Sequence, residues 1–219
     1  ITNTSTTSPT AISIISLGTS TGATSNTIRN CNISTGTKTS SFDIALGGST
    51  PGTAGDDNDN ATIQNNSLTF AGTGIFSSAN STGVTDNLLI TQNTIGSSTI
   101  ASSINTNAIS LTQANTATIY LNDVFGITQT SSFDAISLST GVTNTRITRN
   151  SIHDLINNGT NRASGIGLAT GSSANITIDN NMFYSIINNG TGGSSFPAAG
   201  IYTSSGTGFN IYYNSIYLT

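Results

Sequence analysis

One phrase, Ile-x-x-Asn-x-apolar, occurs seven times in the 219 residues and leaves few folds open to the chain. It begins at Ile28, Ile63, Ile90, Ile119, Ile147, Ile178 and Ile211. Its fourth position holds Cys31 and then Asn66, Asn93, Asn122, Asn150, Asn181 and Asn214. Its sixth holds Ile33, Leu68, Ile95, Val124, Ile152, Phe183 and Ile216. Successive copies lie 27 to 35 residues apart. A second motif, Ile-x-Leu or a relative of it, runs between them at Ile15, Ile44, Ile75, Ile109, Ile136, Ile166 and Ile201 with the same period. A period of this size marks stacked repeats, in which no single unit can bury its own apolar face.

Each copy is too short for a helix, alternates at period two about its Ile, and is bounded by Gly, Ser, Thr and Asn, which reads as a strand between turns. Equivalent positions of successive coils then stack about 4.8 Å apart as parallel strands, so seven coils make a rod about 34 Å long. The anchor Ile and the sixth-position residue are separated by an odd number of steps, and strict alternation would put them on opposite faces. Both are apolar, which demands a bend between them. Asn fits that bend because it tolerates left-handed backbone and its amide can bond to the Asn above and below. The expectation from these features is an all-β solenoid of parallel strands with about seven coils and an Asn ladder, spanning 1–219 as a single domain.

Composition supports strands over helices. Thr, Ser, Asn and Gly number 39, 33, 27 and 23, charged residues make up 6%, and all nine acids are Asp. The good helix formers Glu, Lys and Arg are nearly missing, while 28 Ile residues supply apolar material that disordered chains lack. A net charge of -4 gives no basic footprint, so nucleic acid is not an expected partner. No apolar run reaches the roughly 18 to 20 residues of a membrane span, and ITNTSTTSPT at the N-terminus lacks a signal peptide's basic and apolar regions. Membrane insertion is not expected. Cys31 is the sole cysteine and can form neither an internal disulfide nor a zinc site.

The segments ITRNSIHDLINNG, ITIDNNMFYSIINNG and FNIYYNSIYLT, with GIGLATG and GIYTSSG between them, resemble right-handed parallel β-helix repeats of the pectate-lyase-like fold with its internal Asn ladder. They are also similar to repeats of very long secreted or cell-surface proteins of Bacteroidetes that use type IX secretion. The resemblance covers roughly residues 11 to 219. It implies an extracellular or cell-surface setting and is specific for fold, since that fold carries lyases, hydrolases, adhesins and tail fibres alike. Cys31 departs from the ladder, and Leu121 departs from the polar residue usual one position before it.

Enzymes of this fold place paired Asp residues, an Arg or Lys, or bound calcium on one outer face. Here Arg146, Arg149, His153, Asp154 and Arg162 lie within 17 residues and include the only His. His153 and Asp154 are adjacent, so in a strand their side chains would point to opposite faces and form no dyad. Asp154 aligns with Gly126 and Ser185, which adds no second carboxylate. A solvated face is the expected role of this cluster, and a non-catalytic chain the expected outcome. Asp56, Asp57 and Asp59 offer oxygen ligands for calcium, the one cofactor the sequence suggests, but lack the calcium-loop pattern; a solvated loop is the plainer reading.

Phe125, His153, Tyr184 and Tyr217 occupy one column of consecutive coils. Such a row either stacks on sugars or steadies the sheet. The loops Asn157 to Gly165 and Asn188 to Gly200 share Asn-Asn-Gly-Thr, which places Asn158, Asn189 and Arg162 together at one edge as candidate glycan contacts. Ice binding needs a flat Thr array, and Tyr120, Arg146 and Asp179 break the columns that would supply it. The expected partners are therefore glycans or other cell-surface proteins. Neither terminus reads as a cap, so the chain is expected to be a fragment of a longer solenoid, or to stack end to end with adjacent coils or copies.

Overall fold

The computed structural model describes residues 1–190 and 198–218. It is a parallel β-solenoid of about seven turns. Three parallel sheets run along it. The first contains Asn32–Thr35, Ser67–Thr69, Thr94–Gly96, Asp123–Phe125, Ser151–Asn157, Met182–Asn188 and Ser215–Tyr217. The second runs from Thr10–Ile15 to Ala199–Ser205, and the third from Thr27–Arg29 to Phe209–Tyr212. Among the described residues the only helical element is the 3-10 turn Ile100–Ser102, and no helix is long and apolar enough to cross a membrane.

The anchor Ile residues pair coil to coil from Ile28 to Ile211 along the third sheet. The sixth-position residues pair likewise from Ile33 to Ile216 along the first. Ile63, Ile90, Ile119, Ile147 and Ile178 are fully buried, as are Leu68, Ile95, Val124, Ile152 and Phe183. Each such side chain gains about 1.5 to 3 kcal/mol from leaving water, which no isolated coil could collect. In the second sheet the register corrects one expectation. Ile12, not Ile15, pairs with Ile44, while Ile14 pairs with Leu46 and Ile15 with Gly47. The inward pair of the first coil is therefore Ile12 and Ile14, and Leu17, two residues past Ile15, is exposed.

The left-handed bend also sits one residue earlier than expected. Asn30, Asn65, Gln92, Leu121, Arg149, Asn180 and Tyr213, each immediately before the ladder position, have φ between 53° and 57°. A matching row lies three residues before each anchor, at Ser25, Asn60, Asn87, Thr116, Asn144, Asn175 and Gly208, with positive φ at every one. Two left-handed residues thus bracket each short strand of the third sheet and turn the chain into and out of it. The ladder Asn is released from the bend itself and can point inward.

Inside, the ladder is continuous from Asn66 to Asn214. Each side-chain amide donates to the Oδ1 of the next Asn at 2.9 to 3.0 Å. Each backbone N–H donates to that same Oδ1. The amide also reaches back to the carbonyl of the preceding coil's anchor Ile, as Asn122 does to Ile90 at 3.0 Å. Cys31 takes the first position through its backbone alone, donating its N–H to Asn66 Oδ1 at 3.0 Å.

Candidate functional site

The richest side-chain cluster on the first sheet surrounds His153. Its ring lies between Phe125, 5.2 Å away and 3° from parallel, and Tyr184, 4.5 Å away and 6° from parallel. Coil stacking sets this arrangement, because Phe125, His153 and Tyr184 occupy one register column. Both faces of the imidazole are covered, so it presents only edges to an incoming sugar, whose C–H surface needs a ring face. Tyr217 continues the column in register and is 69% exposed.

His153 and Asp154 do meet, contrary to the expectation from strand alternation. His153 Nδ1 lies 2.8 Å from Asp154 Oδ2, and Nε2 lies 3.1 Å from Asp123 Oδ1. The cause is local: Asp154 has φ 51°, which breaks the alternation and swings its carboxylate to the side of its neighbour. Which ring nitrogen donates depends on the imidazole tautomer. The cluster ties Asp123 of one coil to His153 of the next.

The arginines are engaged as well. Arg146 grips Asp179 through Nε and Nη2 at 2.9 and 2.8 Å, and this guanidinium holds the Asp179 carboxyl below its ordinary range. Arg162 donates to Asp134 Oδ1 at 2.8 Å and to Ser164 Oγ at 3.1 Å, and its guanidinium lies 3.8 Å from the centre of the Tyr202 ring. Ser164 also donates to Asp134, and a side chain at Gly167 would strike that carboxylate. Arg149 stands 6.0 Å from the Tyr120 ring centre.

The two Asn-rich loops do lie together. Asn189 Nδ2 donates to Asn158 Oδ1 at 3.0 Å across one coil. The loop after Asn189 falls largely at 191–197, outside the described residues. The acidic segment is divided among separate partners. Asp56 Oδ1 accepts from Asn80 at 3.0 Å, Asp59 Oδ1 accepts from the Asp86 N–H at 2.8 Å, and Asp57 is a left-handed residue whose N–H donates to Gly83 O. Desolvation raises the Asp59 carboxyl above its ordinary range. Among the described residues no group of three or more His, Cys, Asp or Glu side chains is placed to hold a metal ion.

Sequence reasoning missed Asp123 and Asp134. The signal was available in the register, since each aligns one coil on with a small Ser, Ser151 or Ser164. That leaves room for a neighbouring coil's cation or ring. No family model, curated protein or solved structure matches the chain.

Proposed function

We propose that the chain is a non-catalytic extracellular or cell-surface β-helix, a rigid stalk or adhesive segment that holds glycans through its loops. The observation that carries this reading is the unbroken ladder from Asn66 to Asn214, which commits buried amides to joining coils. The groups best suited to chemistry serve the same end: Arg146 is tied to Asp179, Arg162 to Asp134, and His153 to Asp123 and Asp154. A general acid or base needs a free, convergent position beside a substrate, and none of these has one. The same resemblance that suggested the fold suggests the setting, a pectate-lyase-like repeat region of a large type IX secretion substrate.

The contact between His153 and Asp154 is the one observation that favours a carbohydrate-active enzyme instead. Incubation with a panel of acidic polysaccharides, alongside a glycan array, separates the two readings. Binding without turnover supports the stalk. Turnover abolished by Arg149→Ala or His153→Ala supports the enzyme and overturns the stalk.

A further inference from the structure

A hollow of about 370 Å³ lies beside the second sheet, lined in part by Lys38, Thr39, Ser40, Phe42, Thr73 and Asn105. Lys38 is the only lysine in the chain. Its Nζ donates to Ile100 O at 2.9 Å and Ser103 Oγ at 3.2 Å. These two bonds occupy two of the three N–H groups of the ammonium, and the third has no partner among the described residues. Unlike Arg146 and Arg162, it has no carboxylate partner among the described residues. Asn105 is fixed in the same sense. Gln129 Nε2 donates to its backbone O and its Oδ1 at 2.5 and 2.6 Å, and the Asn105 Nδ2 hydrogens have no acceptor among the described residues. The Thr39 and Ser40 hydroxyls are likewise without partners among the described residues. Phe42, tilted against Phe76 with ring centres 4.8 Å apart, adds an apolar wall.

We propose that this hollow binds the terminal acidic sugar of a glycan through its carboxylate. The inference rests on the glycan-holding reading above and gives it a location that neither the aromatic column nor the Asn-rich loops provide. In this reading Lys38 and Asn105, which line the same hollow, supply the ammonium and amide donors for the carboxylate, the hydroxyls answer the sugar's own, and Phe42 takes the apolar face of the ring. A hollow of about 370 Å³ lies at the small end of the range for ligand sites, which suits a single terminal sugar. Burial also lowers the Lys38 pKa, a sign that the ammonium is already partly stripped of water.

Titration by saturation-transfer NMR with sodium glucuronate, glucose and sodium sulfate tests the proposal. Glucuronate should bind with a Kd of about 1 mM, glucose at least about tenfold more weakly, and Lys38→Met should weaken glucuronate about tenfold. Lys38→Met also loses two bonds to the 100–103 turn. Thr39→Glu, at an exposed position, therefore supplies an independent arm and should abolish binding by charge repulsion. Glucuronate no tighter than glucose, full displacement by equimolar sulfate, or unchanged binding in Thr39→Glu each overturns the proposal. Array binding of acidic glycans that survives Thr39→Glu refutes this hollow and leaves the glycan reading standing. A silent array together with a silent titration removes both.

Discussion

At the position before each second-sheet Ile, Ala11, Gly74, Ala108, Ala135, Gly165 and Gly200 alternate with a single acid, Asp43. The column faces the core: a side chain at Gly74 would meet Ile95, and one at Gly165 would meet Phe183. Asp43 is fully buried with neither carboxylate oxygen hydrogen-bonded, and desolvation pushes its pKa up to about 9. Because the folded value exceeds the unfolded one, the folded state holds the proton more tightly. Stability is then greatest below the ordinary carboxylate pKa, falls as pH rises toward about 9, and levels beyond it. Keeping the carboxyl neutral at pH 7 costs on the order of 4 kcal/mol. Asp43→Ala, matching its column, should therefore raise stability at pH 7 by about 2 to 4 kcal/mol, and urea melts from pH 4 to 9 should lose most of their pH slope. Asp179 acts with the opposite sign. Its lowered pKa gives stability above the carboxylate range that is lost on acidification, limited to about 1 kcal/mol because Arg146 is exposed to solvent.

Between its two left-handed brackets, a third-sheet strand is a fixed module, and Leu121 is the residue least suited to its place in it. It is 41% exposed with φ 54°, where a side chain of its kind costs about 1 kcal/mol that Asn largely avoids. Leu121→Asn, restoring the residue found at Asn30, Asn65 and Asn180, should raise stability by about 0.5 to 1.5 kcal/mol in thermal melts. Asn122→Ala is the contrasting case. It removes acceptors for the Asn93 N–H and amide and donors to Ile90 O and Asn150 Oδ1, leaving buried groups unpaired. A loss of about 3 to 5 kcal/mol is expected, and a loss under about 1 kcal/mol would mean that the ladder carries little. The anchors and the ladder Asn were legible because each residue type repeats at a fixed offset. The left-handed rows were not, because Asn, Gln, Leu, Arg, Tyr, Ser, Thr and Gly all occupy them and share only a backbone shape. The meeting of His153 with Asp154 and Asp123 was hidden for the same reason, since it depends on one φ and on register between coils.

Along the whole rod, the coils touch chiefly their immediate neighbours, so stability is a sum of coil terms and interface terms. Surface ties repeat the internal pattern: Asn87 donates to Asn60 Oδ1 at 3.1 Å, Asn144 to Asn115 at 2.8 Å, and Asn175 to Asn144 at 2.8 Å. This outer row gives a structural role to Asn60, Asn87, Asn144 and Asn175, which composition alone reported without a purpose. What distinguishes the inner ladder is that its amides are out of reach of water, which is the basis for reading the molecule as a stiff structural element. Hydrogen exchange of Asn side-chain amides, followed by NMR, measures this directly. The Nδ2 protons of Asn93, Asn122 and Asn150 should exchange at least about a thousandfold more slowly than those of Asn65 and Asn144, which are bonded but exposed. Equal exchange in the two sets would show that the interior opens as readily as the surface, and would contradict a rigid ladder-held rod.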